Sequence, residues 1–264
     1  MKRFALSLLL ATPAVAAPTL TPGVGLTDVK IGEQTVSVKL GDDAKALSGQ
    51  LGIEHGEHGT KPKEYDFTSG PLAVKAARHG GVRTLSLNLK EAGGLRIGDL
   101  DLGPEITLVD AAARAPDCVG GGDAVVCGEG QFWFTAGADG AVSVHLATAS
   151  LTTLTARWKM ARRAEAPVHT LPRGDLTVGA GATIEKKEVR VGESRCEVKK
   201  ETVKAMATSK WLEGYKTDPG TMGFSFPVVF EISTGCKDIV AEVYAVGDQL
   251  VAIRDGNFYV FNRR

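Results

Sequence analysis

Apolar and polar residues alternate with a period of two through much of this chain. Val36, Val38 and Leu40 alternate with Ser37 and Lys39, Leu85, Leu87 and Leu89 with Ser86 and Asn88, and Val142, Val144 and Leu146 with Ser143 and His145. Successive side chains of a strand point to opposite faces, so each run predicts a strand with one buried face, the mark of antiparallel sheets. The intervening residues are turn formers. His79-Gly80-Gly81 divides two runs, Asp139-Gly140 precedes Val142, and Asp255-Gly256 separates Leu250–Arg254 from Phe258–Phe261. Glycine accepts the positive φ that tight hairpins demand, so these pairs predict two-stranded connections. One pattern occurs three times, as Val29-Lys30-Ile31-Gly32-Glu33, Leu95-Arg96-Ile97-Gly98-Asp99 and Val189-Arg190-Val191-Gly192-Glu193. Its uneven spacing does not indicate a solenoid or propeller and predicts a shared strand end followed by a glycine turn.

The pattern breaks near Arg162–Pro172, where two arginines and two prolines interrupt the alternation. The expected organisation is a signal peptide over 1–16, a β-rich domain over 17–162, a linker over 163–172 and an α+β domain over 173–264. The fold class is mainly β: an antiparallel β-sandwich or barrel-like domain, then a small α+β domain with one helix on an antiparallel sheet. Short helical turns are expected near Asp42–Leu47 and Asp110–Arg114. The main helix is expected from Ser194, which has capping-box spacing to Glu197, through Val203, Met206, Ala207 and Trp211 to Gly214. The nearly continuous apolar runs from Phe224 to Ile232 and from Ile239 to Phe261 predict strands covered on both faces.

Lys2 and Arg3 followed by the apolar stretch Phe4–Ala11 and by Ala14-Val15-Ala16 have the layout of a secretory signal, with cleavage after Ala16. The apolar run is shorter than the roughly 18–20 residues that span a bilayer, so no transmembrane segment is expected after cleavage. A periplasmic or secreted destination is oxidising, which makes Cys118, Cys127, Cys196 and Cys236 two disulfides by default. Of the three pairings, Cys118–Cys127 and Cys196–Cys236 keep each bond within one expected domain. No C-x-x-C occurs, which argues against a zinc or thioredoxin-like site at these cysteines.

The 264 residues carry 31 Lys+Arg and 31 Asp+Glu, so nothing in the charge balance draws nucleic acid. There is no G-x-S-x-G, P-loop, H-E-x-x-H, or G-x-G-x-x-G after a strand. The densest chemistry is Glu54-His55-Gly56-Glu57-His58-Gly59. His55 and His58, with Glu54 or Glu57 as third ligand or base, form a candidate site for Zn or Cu; a solvated hairpin tip is the competing reading. Titration with Zn²⁺ or Cu²⁺ decides between them. Stoichiometric binding lost in His55→Ala/His58→Ala supports a site, and no binding at micromolar metal removes it.

His145 falls on the polar face of its strand and is expected to face solvent. Phe132-Trp133-Phe134 is aromatic on both faces, as suits a strand between two layers or the wall of an apolar groove. The segment Cys118–Cys127 reads as a stapled hairpin end or a braced recognition loop. Arg157 and Lys159, opposite Trp158 and Met160, join Arg162 and Arg163 in a small basic patch that an acidic glycan could use. With a secretory signal and no catalytic motif or cofactor signature, the chain reads as an exported, non-enzymatic binding or assembly module of the cell envelope. The expected partner is an envelope protein or glycan. The alternative is a metal-binding protein or metal-dependent hydrolase built on the His55/His58 loop.

Overall fold

The computed structural model describes residues 16–51, 64–77, 81–121, 123–165, 176, 179–254 and 256–264. Among them the strands in chain order are β1 (Thr19–Thr21), β2 (Gly25–Ile31), β3 (Gln34–Lys39), β4 (Glu64–Ser69), β5 (Leu72–Ala77), β6 (Gly81–Asn88), β7 (Leu95–Ile97) and β8 (Leu100–Leu102). There follow β9 (Val119–Gly121), β10 (Ala124–Cys127), β11 (Phe132–Ala136), β12 (Val142–Ala147), β13 (Ala156–Glu165), β14 (Gly181–Glu185), β15 (Glu188–Val191) and β16 (Ser194–Glu197). The remainder are β17 (Thr202–Ala207), β18 (Val228–Ser233), β19 (Glu242–Val246), β20 (Gln249–Arg254) and β21 (Asn257–Arg263). The helices are short: α1 (Ala44–Gln50), α2 (Leu89–Ala92), α3 (Leu108–Arg114), α4 (Leu151–Leu154) and α5 (Thr208–Glu213).

The strands form three sheets, ordered β3-β2-β1-β7-β8, β4-β5-β6-β12-β11-β10-β9 and β16-β15-β14-β13-β21-β20-β19-β18-β17. The first two enclose one core, in which Leu20, Val36, Val38 and Leu95 meet Leu85, Leu87, Val144 and Phe134. The alternating residues predicted to face inward do so, and the register places Val144 opposite Leu87 and Leu146 opposite Leu85. The thrice-repeated pattern forms three hairpins, with Ile31 opposite Gln34, Ile97 opposite Leu100 and Val191 opposite Ser194. Their turn glycines Gly32, Gly98 and Gly192 have φ of 60°, 57° and 59°, and the residues after them have negative φ. Positive φ at the first central position is the type II′ turn, whose twist matches that of the strands.

The nine-stranded sheet is curled, and its connectivity requires this. Its edge strands β16 and β17 are consecutive in the chain, joined by residues 198–201 alone. Five peptide steps reach about 18 Å, whereas nine strands laid flat span about 38 Å. The sheet therefore folds into a half-barrel whose concave face buries Trp158, Met160, Ile184, Phe230, Tyr259 and Phe261. The segment after β18 spans the mouth of the curl. Cys236 is bonded to Cys196 on β16, with Cα atoms 6.1 Å apart. Asp238 accepts a hydrogen bond from Ser194 Oγ at 3.2 Å and lies 3.5 Å from the Arg254 guanidinium. The second disulfide, Cys118–Cys127, staples the β9–β10 hairpin at the edge of the seven-stranded sheet.

The helix on this sheet starts later than the spacing predicts. Ser194–Glu197 is strand β16, with Cys196 opposite Val189, and Thr202–Ala207 is strand β17, leaving only Thr208–Glu213 helical. The apolar spacing from Val203 to Trp211 is shared between a strand and the helix after it. Pairing with β18 decides the matter locally, and it leaves Val203 43% exposed, not on a buried helical stripe. Trp211 and Leu212 of α5, with Met222 and Phe224, cover the convex face against Tyr244, Val251 and Phe258. Strand β13 runs across position 163, the expected start of the linker, and pairs with β21.

The half-barrel also packs on the outer face of the sandwich, where Val126, Trp133 and Ala147 join its concave core. Phe132 and Phe134 point into the sandwich and Trp133 out of it, so β11 lies between two layers. Two further contacts fix this junction. Leu151 N–H donates to Glu201 at 2.8 Å, and Gly130, at φ 90°, lies so close to β17 that a Cβ there would sit 2.7 Å from the Met206 nitrogen.

Candidate functional site

The half-barrel does not cover the whole outer face of the seven-stranded sheet. Between that face and the β19–β20 hairpin lies a cleft of about 540 Å³, within the range of small-molecule sites and at the kind of junction where they concentrate. Its apolar surface comes from Trp133, Ala147 and Ala149 on the sandwich side and from Phe226, Pro227 and Phe230 on the other. The Trp133 ring meets Phe226 edge-on with centroids 5.2 Å apart. Lys75 and Arg83 reach the cleft from β5 and β6, and Asp248 from the opposite hairpin.

A polar trio lies among these groups. Ser86, His145 and Trp133 occupy directly opposed positions on β6, β12 and β11, so their side chains share one face. The Ser86 hydroxyl is 2.7 Å from His145 Nδ1, and the Thr135 hydroxyl is 2.7 Å from Nε2. Trp133 stacks on the imidazole with centroids 5.3 Å apart and planes 14° from parallel. Loss of water around the ring disfavours its charged form and pushes the His145 pKa down to about 4. The imidazole is therefore neutral at pH 7.

That geometry suits hydrogen bonding better than proton abstraction. A serine activated by histidine relies on a carboxylate at the second ring nitrogen to hold the tautomer and stabilise the imidazolium that forms. Here that position is taken by a hydroxyl, and the ring is too weak a base to match work near neutrality. A neutral imidazole has one donor and one acceptor nitrogen. One of the two hydroxyls therefore donates to the ring, and the other receives its N–H and keeps its own O–H for another partner. Ser86 is the member of the pair that lines the cleft.

Glu54, His55, Glu57 and His58 lie outside the described residues, as do His79 and His169. Among the described residues, no group of three or more His, Cys, Asp or Glu is placed to hold a metal ion. Cys118, Cys127, Cys196 and Cys236 are paired as the one-bond-per-domain argument expects. Arg157 and Lys159 are exposed on β13 opposite buried Trp158 and Met160. The Arg162 guanidinium sits 5.3 Å from the Phe224 ring centroid.

No family model, curated protein or solved structure matches this chain.

The reading of His145 as solvent-facing is corrected by the structure. Alternation identifies the face on which a residue sits, but not whether a second sheet covers that face. Arg83 also lines the cleft, and Val82-Arg83-Thr84-Leu85 holds a signal for it: two polar residues in succession between apolar ones break the period of two.

Proposed function

We propose that this chain is an exported binding module of the cell envelope and that the cleft between sandwich and half-barrel holds its ligand. The observation that carries the reading is His145 with Ser86 and Thr135 on its two nitrogens, at the wall of a cleft whose apolar surface comes from Trp133, Phe226 and Phe230. Half-buried polar groups in such a setting fix the orientation of a ligand more readily than they perform chemistry. Export is supported by the amino-terminal signal pattern and by two disulfides, which persist in oxidising compartments. No helix among the described residues is long and apolar enough to cross a membrane.

The test is site-specific photocrosslinking in cells. A photoreactive residue replaces Gln249, at the cleft, or Val109, which is 77% exposed on α3 and outside the cleft lining. A reproducible adduct from position 249 that position 109 does not give is the expected result. Equal background at both positions overturns the assignment of the cleft.

A further inference from the structure

We infer that the cleft selects a small amphipathic monoanion, its apolar body on Trp133, Phe226 and Phe230 and its single anionic head at Lys75 and Arg83. This rests on the reading of the cleft as the ligand site and adds the chemistry of the ligand.

The first observation is a bulge in the sheet. Lys75 pairs with Thr84 and Ala76 with Val82, so Arg83 is an extra residue on β6 with no partner position on β5. In a regular strand Arg83 and Thr84 would point to opposite faces. Here both line the cleft, while Val82 and Leu85 on either side of them are fully buried. A bulge re-aims a side chain at the expense of a regular ladder, and this one brings Arg83 to the cleft that Lys75 also lines. Lys75 reaches Asp66 only at 3.8 Å, with both side chains mostly exposed. An ion pair that loose and that wet holds its partner weakly, so Lys75 can turn to an incoming anion.

The second observation is the direction available to the hydroxyl relay. When Thr135 donates to Nε2, Nδ1–H donates to Ser86, and the Ser86 proton is released toward the cleft. An anionic oxygen there selects this arrangement without any change in the charge of the ring.

The third is Asp248. It stands on the hairpin wall, whereas both cations stand on the sandwich wall. A ligand with a second negative charge at its far end would meet Asp248 across an apolar gap, and like charges in such surroundings repel. One head and one uncharged tail fit; two heads do not.

The experiment is calorimetric titration of the purified protein with three probes of equal chain length: decanoate, decanol and decanedioate. Decanoate is expected to bind at least about tenfold more tightly than either of the others, as a charge-assisted contact warrants. Arg83→Gln is expected to weaken decanoate by about tenfold or more and to leave decanol unchanged. Lys75→Gln, at an exposed position, repeats the test with little risk to folding, and circular dichroism checks that both variants fold. Asp248→Asn is expected to narrow the gap between decanoate and decanedioate. Decanol binding as tightly as decanoate, or decanoate binding unchanged in both cation variants, overturns the inference. If position 249 crosslinks a ligand and decanoate does not bind, the monoanion is wrong and the cleft stands. If neither happens, both readings fall.

Discussion

Acidification from pH 7 to pH 4 is expected to destabilise the protein by about 3 kcal/mol through His145 alone. The imidazole has a pKa near 6.5 in the unfolded chain and about 4 in the folded one, where burial strips away much of its water. Between those values the unfolded state binds the extra proton, so stability rises with pH across that window. The contribution is fully present above about pH 6.5 and declines as the pH falls. Below about pH 4 the folded protein protonates as well and the loss levels off. Denaturant unfolding at pH 7, 5.5 and 4, for the wild type and for His145→Gln, measures it. The variant starts from a lower stability because the trio is broken, but it lacks this proton linkage and its pH profile is flatter. Asp218, whose pKa hydrogen bonds from Thr221 lower, and Glu231, whose pKa burial raises, are common to both proteins and drop out of the difference. Parallel profiles for the two would refute the assignment.

Removing the bond between Cys196 and Cys236 as a double alanine variant is expected to cost about 4 kcal/mol, against about 3 for Cys118 and Cys127. The first closes a loop of sequence separation 40 and the second one of 9, and the entropy withheld from the unfolded chain grows with the logarithm of loop length. The native roles differ in the same direction. Cys118–Cys127 staples a hairpin whose strands are already adjacent, whereas Cys196–Cys236 holds one edge of the curled sheet against the segment that spans its mouth. Midpoints of denaturant unfolding compare the two variants. Equal midpoints, or a larger loss from the hairpin bond, would show that closure of the curl does not depend on the staple.

How much of this fold a reader can extract from the sequence depends on the range of the interaction concerned. Val36, Val38, Leu85, Leu87, Val142 and Val144 declare their faces through local alternation, and the Asp-Gly and Ile-Gly turns declare their hairpins through the φ that only glycine takes easily. The cysteine pairing follows from the secretory pattern at the amino end and from proximity along the chain. The curl does not follow, because it arises from a link, 198–201, that lies inside the region whose spacing reads as a helix. The cleft was equally hidden. His145 and Ser86 are 59 residues apart and meet only through the β6–β12 register, and Trp133 shows its second neighbour only once the half-barrel is in place. Arg83 is the exception, since its break in alternation is visible in the sequence.

The position of β21 has a consequence for the order in which this molecule can assemble. It is the fifth of nine strands in the curled sheet, flanked by β13 and β20, yet it follows all the others in the chain. As the chain emerges from the ribosome amino end first, β13–β16 and β17–β20 appear as two four-stranded halves, each with one unpaired edge waiting for the same missing strand. Exposed edges of that kind pair readily with other chains, and a sheet that depends on contacts this distant in sequence forms slowly. The interval between emergence of β20 and docking of β21 is therefore the period in which a holding chaperone would protect this protein most. Mutations that weaken β21 would show themselves first as aggregation during synthesis, before any loss in the completed fold.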